Sequence, residues 1–262
     1  PPNEVTAGRQ CRKEQQHLRL ARRTACHNCK VMLRLKLVLA VTVSCLILVM
    51  STREVNGQER GNHGRLFPPE ELGALEGPDR DAWQEPERIM DSLGITSGTI
   101  VADVGAGGGW FTIKLASRVG PKGLVYAEDI QREMIESINR RVNRANLSNV
   151  QTIIGTSNNP KIPTLVDAVL MVDVYGEVED PVTLLRNVVP QLKKGGRIGI
   201  IEHRLDGGGP GPPLQDRIAP ETIINAAEAV GLRLVTHDDS FRYQYLLIFI
   251  ENSNENISRA TR

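Results

Sequence analysis

The stretch VADVGAGGGWFTIKLASRVG, residues 101–120, decides the fold. An apolar run over Thr99–Val104 reads as a strand. Three glycines follow at 105, 107 and 109, and Trp110 to Val119 then reads as a helix closed by Gly120-Pro121. Working outward, the same alternation repeats. Upstream, Glu85–Leu93 reads as a helix with Pro86 in its first turn and Gly94 as terminator. Downstream the expected strands are Leu124–Asp129, Val150–Ile154, Ala168–Val172, Arg197–Ile201, Leu232–Thr236 and Tyr245–Ile250, and the expected helices are Gln131–Ala145, Pro181–Leu192 and Pro220–Val230. Strands such as AVLMV and IGII are apolar throughout, the pattern of a sheet covered on both faces. Only HDDSFRYQ separates the last two strands, too little for a helical crossover, so the final strand must turn back antiparallel. The fold class is therefore α/β: a Rossmann-like, doubly wound, seven-stranded sheet, mostly parallel, in one domain.

Composition bounds the rest. At 262 residues, 40% hydrophobic and 24% charged, the chain holds one globular domain with extra sequence; wholesale disorder and a polytopic membrane protein are excluded. Residues 1–36 carry nine Lys/Arg against two Glu, net +7, which leaves the remainder at −6. A mildly acidic domain with ten aromatic residues offers neither a basic footprint nor a stacking platform for nucleic acid, so no such partner is expected. All four cysteines lie in the first 45 residues. The CHNC at Cys26–Cys29 matches no standard finger spacing, and no metal is expected.

Residues 1–57 form a basic head whose uncharged run, 37–50, has the length of a signal-peptide core and also suits a signal anchor. Either reading places the domain outside the cytoplasm, exported or anchored through this segment alone, whereas the domain is cytoplasmic if the segment is not a genuine signal; Met32 is the expected start. Residues 58–78 read as a linker with an ordered lead-in, 79–250 as the domain, and 251–262 as a disordered tail.

A doubly wound sheet binds its ligand at the carboxyl ends of the strands, beside the switch in strand order. The glycine turn after Val104 lies there, where positive φ lets a ligand rest on bare backbone. A dinucleotide fingerprint needs a small residue at position 110, but Trp110 stands there, which argues against NAD or FAD. What the chain offers is acidic-x-Gly-x-Gly-x-Gly (Asp103, Gly105, Gly107, Gly109) and a second acid, Asp129, at the next strand end. A carboxylate there can accept hydrogen bonds from both hydroxyls of a ribose.

On these residues the sequence resembles the class I S-adenosylmethionine-dependent methyltransferases. VADVGAGGGWF, GLVYAEDIQREM and DAVLMVDVYGEVEDP look more narrowly like the small bacterial methyltransferases related to ubiquinone/menaquinone C-methyltransferases. The resemblance implies the strand order 3-2-1-4-5-7-6 and S-adenosylmethionine as cofactor. It assigns Asp103, Gly105, Ala106, Gly107 and Gly109 to the methionine end, Asp129 and Ile130 to ribose and adenine, Gly155 and Thr156 to the adenine edge, and Asp173, Val174 and Tyr175 to the methyl end. Two positions depart from the pattern. Thr156 stands where relatives often carry an acid, and Gly176 and Glu177 stand where they often carry histidine, so a base function inferred from those histidines does not transfer.

Plainer roles compete with each assignment. Asp103 and Asp129 can cap the helices that follow, and Asp173 can serve its turn alone. Glu128 reads as a solvated neighbour, His203 as a surface residue or a base at the mouth, and Trp83 and Trp110 as packing. Methyl transfer to a small-molecule acceptor is the expected chemistry, with Tyr175, Glu177 and His203 as candidates to orient or deprotonate it. A non-catalytic cofactor-binding domain and an NAD-dependent oxidoreductase are the alternatives. The glycine-rich loop after His203 is either a crossover or a lid.

Overall fold

Each apolar run takes up its strand because alternate residues have a separate core to enter. The computed structural model describes residues 66–206 and 208–252. In chain order the elements are α1 (Arg80–Gln84), α2 (Pro86–Ser92), β1 (Ile100–Val104), α3 (Trp110–Val119), β2 (Leu124–Asp129), α4 (Arg132–Arg144), β3 (Val150–Ile154), β4 (Val166–Val172), α5 (Pro181–Val188), β5 (Leu192–His203), α6 (Pro220–Glu228), β6 (Leu232–Asp238) and β7 (Gln244–Glu251). The seven strands form one sheet in the order β3-β2-β1-β4-β5-β7-β6. The first five pair in parallel, and β7 runs antiparallel to both β5 and β6.

Successive strand residues enter opposite cores, the period-two geometry of a two-sided sheet. Ala102, Val169, Met171, Ile198 and Ile200 face α5 and α6 with Leu184, Leu185, Ile223 and Ala227. Val101, Ala168, Leu170 and Ile201 face the other way, with Ile89 and Met90 of α2 and Phe111 and Leu115 of α3. A smaller cluster of Ala127, Ile138 and Val142 seats α4. The order of pairing reverses between β1, which leads outward to β2 and β3, and β4, which leads to β5. The carboxyl ends of β1 and β4 therefore frame the crevice.

Several element bounds differ from the sequence reading, each for a local reason. A short helix absent from the sequence reading, Arg80–Gln84, precedes the expected one, Pro86–Ser92: Glu85 between them takes φ 50, and Pro86 is the first residue of the second. Proline's ring disfavours helical backbone at the residue before it, which explains the break. α5 stops at Val188 and passes into a 3-10 turn, Val189–Gln191, because Pro190 has no N–H to continue the ladder. β5 begins at Leu192 rather than Arg197, since Leu192 pairs with Val166 across a register shift in β4. Within the stretch read as linker and lead-in, Pro69–Leu75 is a 3-10 helix, so ordered structure starts before Asp79. The basic head, its apolar run 37–50 and the tail beyond Asn252 lie outside the described residues. Among the described residues no helix is long and apolar enough to cross a membrane, and no group of three metal-ligating side chains occurs.

Candidate functional site

The turn after β1 is a left-handed glycine bend. Gly105, Gly107 and Gly109 have φ of +68, +53 and +83°, values that a side chain disfavours. A Cβ added at Gly105 would lie 2.5 Å from Val174 Cγ2, and one at Gly109 3.1 Å from Ile138 Cγ1. Those two glycines let the backbone pass close to its neighbours. Gly107 is different: a Cβ there would meet nothing within 4 Å, so bare main chain faces open space. The Trp110 indole does not plug that space. It lies under the Arg80 guanidinium, 4.1 Å from the ring centroid, with the Lys114 ammonium 4.3 Å away.

Two neighbouring carboxylates of β2 hold the bend. The Gly107 amide donates to Asp129 Oδ2 at 2.9 Å, and the Gln131 amide donates to Oδ1 at 2.9 Å. A carboxylate offers about four lone-pair positions, so Asp129 keeps acceptor capacity for further donors. Its neighbour Glu128 is not solvated, as the sequence reading had it, but only 2% exposed. It accepts from the Gly105 amide at 3.3 Å and fills the space that the missing side chain of Gly155 leaves, since a Cβ there would overlap Glu128 Oε1. Asp103 is buried and accepts from Thr112 Oγ1 at 2.6 Å. Ile130 is half-buried beside Asp129. Thr156 is exposed, and its hydroxyl donates within its own turn to the Asn159 carbonyl at 3.2 Å.

On the β4 side, Asp173 takes φ +57° and receives both oxygens' hydrogen bonds from Gln244 Nε2, at 2.8 and 2.9 Å. Gln84 of α1 donates in turn to Gln244 Oε1 at 2.9 Å. Val174 packs beside Gly105. Tyr175 opens a 3-10 turn, its amide donating to Glu202 Oε1 at 2.8 Å, and its ring is wholly buried in the core on the α5 and α6 side. Glu177 accepts from the Phe67 amide at 3.1 Å, and burial pushes its carboxyl up to about 7. His203, at the end of β5, is not the surface residue the sequence reading gave as one option; it is 2% exposed, with Nε2 3.4 Å from Asp173 Oδ1. Its ring lies near Trp83, centroids 6.2 Å apart.

Sequence reasoning missed the lead-in. Phe67 bridges the two halves of the crevice, its amide on Glu177 and its carbonyl accepting from Gln131 Nε2 at 3.0 Å. Glu76 lies against the outside of the bend at Gly108 and pairs with Arg141. Burial lowers the Arg80 guanidinium below its usual value, and the charges of Asp173, Glu76, Asp103 and Asp81 act against that shift. A lone Arg and a lone Gln in a polar stretch give no periodic signal, which is why Arg80, Gln84 and Gln244 went unread.

A methyltransferase domain family matches residues 95–243, more than half of the chain. The chain belongs to the class I S-adenosylmethionine-dependent methyltransferases. A demethylmenaquinone methyltransferase of Geobacillus sp. is 31% identical over 121 residues, 46% of this chain and 51% of that protein. A ubiquinone/menaquinone biosynthesis C-methyltransferase of Ectopseudomonas mendocina is 30% identical over 157 residues, 59% of each. The chain thus spans about half the length of the curated relatives it matches. Among solved structures, an S-adenosylmethionine-dependent methyltransferase from Aquifex aeolicus superposes with a TM-score of 0.66 at 27% identity, covering 70% of this chain and 98% of that one. S-adenosylmethionine is the family's cofactor, and the open bend with Asp129 beside it fits that molecule.

In this methyltransferase the carboxylates at the bend give stability a particular pH dependence. Burial, and then the charge of Asp129, push Glu128 up to about 8, against 4.5 for the free group. Between those values the folded chain holds a proton that the unfolded chain has released, so this contribution is complete below about 4.5 and is lost as pH rises through 8. Asp103, raised to about 6 mainly by burial, acts in the same direction. The melting temperature should therefore fall from pH 5 to pH 8, at a limiting slope of about 1.4 kcal/mol per pH unit per group. Glu128→Gln should flatten that fall. An unaltered slope in the variant would mean that Glu128 is ionised in the fold.

Proposed function

We propose that this chain transfers a methyl group from S-adenosylmethionine to a small-molecule acceptor. The observation that carries the reading is the open main chain at Gly107, flanked by Asp129 and clear of the Trp110 indole. Asp129 has acceptor positions for the ribose hydroxyls, with Ile130 beside the adenine and the Gly155–Thr156 turn at its edge. The bend from Gly105 through Ala106 and Gly107 to Gly109, with Asp103 behind it, receives the amino-acid tail. Asp173, Val174 and the main chain at Tyr175, whose ring is buried in the core, border the methyl end. Arg80, held over Trp110 next to Asp103, is the cation for the tail's carboxylate; this residue extends the assignments legible in sequence. When bound, the cofactor supplies a methyl group already activated on a sulfonium. The protein's own task is to align the acceptor and keep water out, which can account for much of a transfer rate.

The names of the quinone-modifying relatives support a small molecule as the acceptor. Titration calorimetry with S-adenosylhomocysteine and with NADH tests the cofactor: the first should bind and the second should not. Release of labelled methyl into a panel of small acceptors then separates a transferase from a domain that only binds. Asp129→Ala should weaken S-adenosylhomocysteine by about 1–3 kcal/mol, the scale of leaving ligand hydroxyls unpaired in a buried site. An unchanged affinity removes Asp129 from the ribose.

A further inference from the structure

Among the described residues only two buried side-chain polar atoms have no hydrogen-bond partner, Tyr175 Oη and His203 Nδ1. Such atoms carry a desolvation cost and are uncommon in native interiors, so each needs a reason. Tyr175 points into the core. His203 belongs to the crevice, and its surroundings fix its proton. Nε2 faces Asp173 Oδ1 at 3.4 Å, and Asp173 is itself fixed by two hydrogen bonds from Gln244, which Gln84 holds in turn. An imidazole beside a carboxylate keeps its proton on the nitrogen facing that carboxylate, leaving the other nitrogen with a bare lone pair.

Resting on the methyl-transfer reading, we infer that His203, oriented by Asp173, is the general base of this enzyme and that its acceptor is a neutral aromatic hydroxyl compound. The acceptor's hydroxyl proton passes to His203 Nδ1. The oxygen lone pair forms the O–CH3 bond as the S–CH3 bond breaks, and that bond's electron pair stays on sulfur as a neutral thioether. The imidazolium then releases its proton to water, so atoms and charge balance.

The acceptor class follows from matching acid strengths. A phenolic hydroxyl near 10 is mostly protonated at neutral pH yet within reach of a histidine, whereas a thiol near 8.5 ionises more readily without help. Imidazole can also serve an aliphatic alcohol as base, but such an acceptor offers no flat ring to the aromatic side chains beside His203. A carboxylate acceptor would enter beside Asp173 and Glu177. The Trp83 ring lies beside His203 and meets the Tyr243 ring edge to face at 5.9 Å, so the surroundings of the imidazole are aromatic. The glycine-rich loop covers the same ring: a Cβ at Gly211 would overlap the His203 imidazole and one at Gly209 the Tyr243 ring. Arg217 clasps this loop by donating to the carbonyls of Pro212, Arg204 and Gly208 at 3.0, 2.8 and 3.3 Å. Nδ1 is enclosed in this structure, so the proposed step requires the surroundings of the ring to open.

Two measurements on the full chain test the inference. Nitrogen-15 NMR of the imidazole rings should show His203 with its proton on Nε2 and none on Nδ1, and Asp173→Asn should mix the two tautomers. A proton resident on Nδ1 overturns the base. With S-adenosylmethionine as donor, and 2-naphthol and 1,4-dihydroxynaphthalene as probes, His203→Gln should slow methylation by about 10²- to 10⁴-fold, the usual range for a lost general base. Its S-adenosylhomocysteine affinity should stay at the wild-type value. Equal rates in wild type and variant overturn the base while methyl transfer stands. Cofactor binding with no turnover of either probe overturns the acceptor class, and loss of S-adenosylhomocysteine binding by the wild type takes down the underlying function as well.

Discussion

Gly107→Val should abolish S-adenosylhomocysteine binding in calorimetry while the protein still melts as a folded domain. The expectation follows from two properties of one residue that act on different equilibria. Folding is affected by φ alone, +53°, which costs a side-chain-bearing residue about 1–2 kcal/mol. Nothing in the fold is struck, because a Cβ there has no neighbour within 4 Å. Binding is affected by occupancy: the isopropyl group fills the space in which a ligand lies against the main chain. The amide that donates to Asp129 Oδ2 is retained, so the loss cannot be assigned to a broken bend. Gly105→Val is the contrast. Its Cβ would meet Val174 Cγ2 at 2.5 Å and Cγ1 at 2.7 Å, and backbone and side chain would both have to shift. That variant should lose stability as well as binding, since overpacking of this kind typically costs about 1–3 kcal/mol beyond the φ strain. Full affinity in folded Gly107→Val would move the ligand off the bend and end the cofactor assignment with it.

The sheet was legible because its determinants are local and repetitive. Continuous apolar runs such as Ala168–Val172 announce burial on both faces, and the eight residues between Thr236 and Tyr245 exclude a crossover. The bend was legible because only glycine adopts its φ values at low cost, so Gly105, Gly107 and Gly109 mark it without knowledge of anything around them. The misread residues are those whose environment is made by distant chain. Glu128 alternates with Asp129 at a strand end and looks like a surface acid. It is buried because β2 runs between β1 and β3, and because Gly155, twenty-seven residues later, leaves room for its carboxyl. His203 has no local mark either. Its burial is made by Trp83 from α1, Asp173 from the end of β4 and the glycine loop after β5. Spacing along the chain cannot reveal a partner that arrives from a different element.

Arg80 is the clearest instance of such a residue, and its replacement should separate the two halves of the ligand. Arg80→Gln should weaken S-adenosylhomocysteine by about 2–5 kcal/mol, the range for removing one partner of a desolvated charge pair. It should leave 5′-methylthioadenosine, the same nucleoside without the amino-acid tail, bound as before. The reasoning is electrostatic. On the proposed function the tail would bring a carboxylate into a crevice whose fixed groups, Asp103, Asp129 and Asp173, are acidic, and the guanidinium over Trp110 would be the charge that offsets it. Arg80→Lys should recover part of the loss, because an ammonium keeps the charge but not the planar stacking on the indole or the two-pronged grip on a carboxylate. A purely architectural Arg80, needed to hold the lead-in across the bend, would weaken both ligands alike and lower the melting temperature in parallel. Selective loss of the tailed ligand, with the nucleoside bound as before, is the pattern that a carboxylate-binding cation produces, whatever stability the Arg80 contacts with Trp110 and Gln84 supply.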